Sequence, residues 1–202
     1  MYRQKKKMIG LMMAGAMALG AVSAFAEGTD AGNPSDPAAY TWFDVPVNTK
    51  VTIVSKAYGQ SVLNVETNTV PQANDRVGVY QNTGDHSQRW MIVPINEKER
   101  LYRVESYHRA SQPLDQLALN VYNPTAPNAP CTVYPWQKNN ADDYTIKIVN
   151  EEPNNPIVSN TFGFVMIRRM LSMTATGAHN GADVNWLNPD GTIQQLWDIN
   201  HG

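Results

Sequence analysis

Val62-Leu63-Asn64-Val65, then Val79-Tyr80-Gln81-Asn82, then Gln88-Arg89-Trp90-Met91-Ile92 is the stretch whose reading decides the fold. Each piece is a short run in which apolar and polar residues alternate, the pattern of a half-buried strand. Turn residues cut the runs apart, as in Asn82-Thr83-Gly84-Asp85. The same order returns in Ala118-Leu119-Asn120-Val121, Val133-Tyr134-Pro135-Trp136 and Asp143-Tyr144-Thr145-Ile146-Lys147-Ile148. It returns again in Met170-Leu171-Ser172-Met173, Val184-Asn185-Trp186-Leu187 and Gln195-Leu196-Trp197-Asp198-Ile199. Leu63, Leu119 and Leu171 are 56 and 52 residues apart, and Tyr80, Tyr134 and Trp186 are 54 and 52 apart.

Each unit opens with one further strand, at Val51–Ser55, Leu101–Ser106 and Phe164–Arg168. A self-similar period of this length marks a repeat architecture. Three units of four short strands are too few for a propeller and suit a threefold closed barrel. The expected fold is all-β, a β-trefoil of three repeats.

Outside residues 45–202, which hold the expected domain, the chain changes character. Arg3, Lys5, Lys6 and Lys7 precede an apolar and Gly run from Met8 to Val22, and Ala24-Phe25-Ala26 supplies small residues for cleavage before Glu27. Residues 1–26 therefore read as a signal peptide, too short in its apolar part to span a membrane. Removing them takes four positive charges and no acid from a chain of formal net charge −2, leaving −6. The expected product is secreted, extracellular or periplasmic. Residues 27–44 read as a flexible spacer ending in an aromatic cluster, Tyr40, Trp42 and Phe43.

Composition narrows the partners. Only 17% of the residues are charged, and an acidic mature chain lacks the basic stripe that nucleic acid demands. Cys131 is the sole cysteine, so no internal disulfide exists and it reads as a small apolar filler. No nucleophile elbow, His-Glu-x-x-His, phosphate loop or paired Cys ligands occur, so neither enzyme activity nor a metal or cofactor is expected. Glu151-Glu152-Pro153 reads as an inter-repeat loop, and residues 122–130 could form the exposed reactive loop of a trefoil protease inhibitor, though nothing in them marks a protease preference.

Gln88-Arg89-Trp90 and Gln195-Leu196-Trp197, in register with the leucine and aromatic positions, resemble the Gln-x-Trp signature of the ricin-type (ricin B-type) lectin family. The likeness is to a bacterial secreted member with degenerate sugar sites, and it covers about residues 45–200. The middle repeat departs from it, with Asp143-Tyr144-Thr145 in place of Gln-x-Trp. In such a barrel the Trp fills the core and the Gln satisfies backbone groups, so Trp90 and Trp197 are expected inside.

The family's sugar site combines an acid after the second-strand leucine, an aromatic ring on the third strand and an amide beside the signature. The ring meets the C–H face of a sugar, and the polar pair forks vicinal hydroxyls. The resemblance implies Asn64, Tyr80, Ser87 and Gln88 in the first repeat. It implies Asn120, Tyr134 and Asp142 in the second, and Ser172, Trp186, Gln194 and Gln195 in the third. No repeat keeps the complete set, since Asn64, Asn120 and Ser172 replace the acid. Asp75 or Asp183 could restore it from elsewhere in space.

The expected function is a non-catalytic carbohydrate-binding module for galactose-type or other cell-surface glycans. The alternative is a protein-docking or cell-binding subunit of a multi-component exported toxin, with a toxin partner protein.

Overall fold

A computed structural model describes residues 45–67, 70–107, 116–121, 128–150 and 161–202. The expected signal peptide, the spacer with its aromatic cluster, residues 122–127 and the Glu151–Pro156 loop lie outside these residues.

Among the described residues the alternating runs form twelve strands: β1 (Lys50–Ser55), β2 (Ser61–Val65), β3 (Val77–Gln81), β4 (Trp90–Asn96), β5 (Leu101–Ser106) and β6 (Leu117–Val121). They continue with β7 (Ala129–Pro135), β8 (Ile146–Asn150), β9 (Thr161–Met166), β10 (Leu171–Ala175), β11 (Ala182–Leu187) and β12 (Leu196–His201). All pairings are antiparallel. β1, β4, β5, β8, β9 and β12 close a six-stranded ring in that order, with β12 returning to β1. Closure removes the unpaired edges that an open sheet would leave. The hairpins β2–β3, β6–β7 and β10–β11 cap the ring and meet one another through β11, which pairs with both β3 and β7.

The repeat is visible in the backbone as well. The turns entering β3, β7 and β11 each hold a residue with positive φ: Asn74 at 72°, Asn128 at 57° and Gly181 at 81°. Asn and Gly are the residues that adopt this conformation most readily.

The core is apolar, with Ile53, Ile92, Val104, Ile146, Phe164, Trp90 and Trp197 wholly buried. Indole N–H groups in such a core need an acceptor. Trp90 Nε1 donates to the Leu63 carbonyl at 2.9 Å, and Trp197 Nε1 donates to the Met173 carbonyl at 3.0 Å. The expectation for both Trp residues is met.

These two bonds also fix the register of the third repeat, and it differs from the reading by residue type. Leu63 lies opposite Val79, Leu119 opposite Val133, and Met173 opposite Trp186. The partner of Leu63 and Leu119 is therefore Met173, not Leu171. On the outer face of the hairpins Val62 lies opposite Tyr80, Ala118 opposite Tyr134, and Ser172 opposite Leu187. The outward counterpart of Tyr80 and Tyr134 is thus Leu187, and Trp186 is one residue out. In a strand a shift of one residue turns a side chain to the opposite face. Trp186 accordingly points inward, 0% exposed, and its Nε1 donates to the Asn120 carbonyl of the second repeat at 3.0 Å.

The middle repeat replaces its missing signature with other groups. Gln88 and Gln195 each donate Nε2 to a hairpin carbonyl, of Gln81 and Asn188, both at 2.9 Å. At the corresponding Pro135 carbonyl the donor is the Tyr144 hydroxyl, at 3.0 Å. Burial first, then Tyr134 and Asp143 nearby, pushes the Tyr144 pKa up to about 12, so the hydroxyl stays a donor.

Candidate ligand-binding site

The outer face of the β2–β3 hairpin carries a cavity of about 430 Å³, lined among others by Asn64, Glu66, Tyr80, Gln81, Asp85 and Ser87. Strand alternation puts Val62, Asn64 and then Glu66 on one side of β2, opposite Tyr80 and Gly78 of β3.

Behind it the loop into β4 is rigidly held. Asp85 begins a 3-10 turn, His86–Gln88, and accepts the Ser87 N–H at 2.9 Å. The Ser87 hydroxyl stands 2.8 Å from Asn64 Oδ1 and 3.0 Å from Asp85 Oδ1, and its one proton serves one of them at a time. Asn64 itself donates Nδ2 to the Val65 carbonyl at 2.8 Å. Gln88 is 2% exposed; its Oε1 accepts the Thr83 N–H and its Nε2 is spent on Gln81. It shapes the cavity and positions Gln81. The third repeat contributes too, since Asn180 Oδ1 accepts the Gln81 N–H at 2.7 Å. Gly181 lets the Tyr80 ring approach, for a Cβ there would lie 3.1 Å from the Tyr80 hydroxyl oxygen.

Glu66 is the acid that sequence reasoning missed. Neither proposed substitute serves: Asp75 accepts the Gln72 N–H in an exposed turn, and Asp183 is paired with Arg76 at 2.7 Å. The Glu66 carboxyl instead lies over Gly78, with Oε1 2.3 Å from the place a Cβ would take. Burial raises the Glu66 pKa above the ordinary carboxyl value; Arg76 lowers it and Asp183 raises it. A signal existed in the sequence. An acid two residues beyond Asn64 shares its face, and a glycine stands where a side chain would otherwise fill the space.

Among the described residues the other two repeats do not assemble such a group. In the second, Asn120 is 8% exposed and its Oδ1 accepts the hydroxyl of Thr132, the residue that stands where Gly78 does. Tyr134 is half-buried and Asp142 is exposed on the 3-10 turn Lys138–Asp143, while Asp143 is buried and paired with Arg168. In the third repeat Trp186 is in the core, and Leu187 holds the outward aromatic position. Ser172 is buried, and Thr174 takes the place of Asn64. Gln195 is 4% exposed, accepting the Asp190 N–H and donating to Thr174 and Asn188; Gln194, beside it, is half-buried. The expected third set is thus corrected: strand register turns its ring inward, and its amide, Gln195 of the 3-10 turn Ile193–Gln195, is spent on backbone groups as Gln88 is. Of the eleven expected residues, Asn64, Tyr80, Ser87 and Gln88 converge on one cavity.

No family model matches the chain, and no curated protein matches it in sequence. Solved structures do match it in shape. A designed 3-fold symmetric protein, ThreeFoil, superposes with a TM-score of 0.63 at 18% identity, over 76% of this chain and 99% of its own. The fold is a β-trefoil. A ricin B-like lectin of Macrolepiota procera, solved in complex with lactose, matches with a TM-score of 0.60 at 14% identity, over 79% and 99%. Two larger proteins match over part of their length. One is a mosquitocidal holotoxin (TM-score 0.63, 16% identity), of which 18% is spanned. The other is an exo-beta-1,3-galactanase from Clostridium thermocellum (0.63, 16%), of which 31% is spanned. At these identities the likeness is one of fold, and function rests on the site.

Proposed function

We propose that the chain is an exported, non-catalytic carbohydrate-binding module of the lectin type, with its sugar site in the first-repeat cavity. The observation that carries this reading is the cavity itself. An aromatic ring, Tyr80, stands beside a carboxylate, Glu66, and a hydrogen-bonded set of Asn64, Asp85 and Ser87. Such a set meets the two faces of a sugar, ring against C–H and oxygens against hydroxyls. Galactose-type or other cell-surface glycans are the proposed ligands, in keeping with the lactose held by the lectin of similar fold. With one such cavity among the described residues, affinity for a single sugar is modest, and strength on a cell surface comes from many copies or repeated epitopes.

A glycan array printed with neutral and acidic glycans tests the reading. Binding that falls at least about tenfold in Tyr80→Ala, a loss of ~1.4 kcal/mol, supports it. A folded chain that binds no glycan refutes it. Export by the segment before Glu27 is read from the N-terminal mass of the secreted protein.

A second reading, a docking subunit of an exported toxin, is favoured by the loss of the sugar set from the second and third repeats. Co-purification with an exported partner, unaffected by Tyr80→Ala, would support it.

A further inference from the structure

A second hollow, of about 310 Å³, lies next to the first and is lined by Val54, Gly59, Gln60, Gln81, Asn82 and Asn200. Gln81 lines both. The polar side chains of this hollow are all carboxamides, uncharged groups with a donor N–H₂ and an acceptor oxygen, and Asn82 Oδ1 also accepts the Gly84 N–H at 3.1 Å. Gln60, Gln81, Asn82 and Asn200 are exposed, and Val54 contributes a half-buried apolar wall. The wall is held by its backbone: the Gln60 carbonyl accepts the Asn82 N–H, the Gln81 carbonyl accepts Gln88 Nε2, and the Gln81 N–H goes to Asn180. The carboxamide heads of Gln60 and Gln81 are thereby left at the surface.

Among its described residues, the second repeat sets other groups at the same place. Glu105 pairs with Ala118 as Val54 pairs with Val62, so Glu105, Pro135 and Trp136 stand where Val54, Gln81 and Asn82 do. There the Arg103 guanidinium lies 4.3 Å from the Trp136 ring centroid and 2.5 Å from the Glu105 carboxylate. An indole, a guanidinium and a carboxylate occupy what is open in the first repeat.

We infer that the first repeat binds an extended ligand, an uncharged oligosaccharide of two or more residues. One sugar sits in the Tyr80 cavity, and the next crosses Gln81 into the carboxamide hollow. Charge supports the class: Glu66 and Asp85 line the first cavity and disfavour an acidic sugar, while the hollow offers carboxamides to hydroxyls. The inference rests on the carbohydrate reading above and adds to it a second subsite and a minimum ligand length.

The test is calorimetric titration of the full chain with neutral mono-, di- and trisaccharides of galactose, glucose, mannose and N-acetylglucosamine. The disaccharide of the sugar that binds is expected to bind at least about tenfold tighter than its monosaccharide, a difference of ~1.4 kcal/mol. Gly59→Trp should abolish that gain and leave monosaccharide binding intact. A Cβ at Gly59 meets nothing within 4 Å, and the backbone there is not left-handed, so the variant can fold while filling the hollow. Gly59→Ala should keep the gain. Monosaccharide binding with no gain in the native chain, or a gain that survives Gly59→Trp, overturns the second subsite and leaves the carbohydrate reading standing. No binding by any sugar of the panel overturns both.

Discussion

Replacing Trp186 separates the two registers of the third repeat. A Trp186 on the outer face would be a stacking platform, and its removal would weaken sugar binding and leave stability alone. The structure puts the indole in the core, 0% exposed, with its N–H on the Asn120 carbonyl. Trp186→Ala then opens a cavity costing about 3–5 kcal/mol. It also strands a buried carbonyl, at about 1–3 kcal/mol more. Against a total stability of about 5–15 kcal/mol, much of the protein would be unfolded. Trp186→Phe is the cleaner probe, because it keeps most of the ring and removes the donor. The orphaned carbonyl alone predicts a loss of about 1–3 kcal/mol. At roughly 2–4 °C per kcal/mol, that lowers the melting temperature by roughly 2–12 °C. Thermal unfolding followed by circular dichroism gives the shift, and titration of the folded variant gives the affinity. Glycan binding per folded molecule should be unchanged. An unaltered melting temperature together with lost binding would refute the inward register.

Three other outcomes follow from the same geometry. Glu66 holds its proton more tightly folded than unfolded, so its contribution to stability is full below the ordinary Glu pKa and is lost as pH rises through the raised one. Urea midpoints of Glu66→Gln should therefore exceed those of the native chain at neutral pH and converge with them below about pH 4; equal midpoints at pH 7 would contradict the burial. Gly78→Ala places a Cβ 2.9 Å from the Ala182 carbonyl oxygen as well as against Glu66, and overpacking against backbone predicts a loss of about 1–3 kcal/mol by chemical denaturation. Burial pushes the Cys131 thiol pKa up, so a thiol reagent at pH 8 should label it only after denaturant is added; rapid native labelling would place it at the surface.

The barrel and its threefold order could be read from the chain because both are properties of local pattern. Alternation names strands, turn residues divide them, and the return of Leu-Asn-Val, of an aromatic and of Gln-x-Trp gives the period. Gln88 and Gln195 take the backbone-satisfying role that the resemblance gives them, in the same bonds at two corresponding hairpins. The site was half legible. Asn64, Tyr80 and Ser87 are local to one hairpin and the turn that follows it, and they do meet. Glu66 was missed because its place depends on the absent side chain at Gly78, across the strand pair.

Register was the quantity that sequence could not supply. Matching Leu171 to Leu63 and Trp186 to Tyr80 pairs like with like, yet the hydrogen bonds of Trp197 and Trp186 set Met173 and Leu187 in those places. By itself the sequence determined an all-β chain with a period near 50 residues and two Gln-x-Trp signatures. Only the tertiary structure decided which face of each hairpin looks outward, and hence that among the described residues the first repeat carries an open, polar, aromatic-walled cavity. The physical reason is that strand identity follows from alternation within a few residues. Facing depends on a single-residue phase, which is fixed by contacts between segments far apart in the chain.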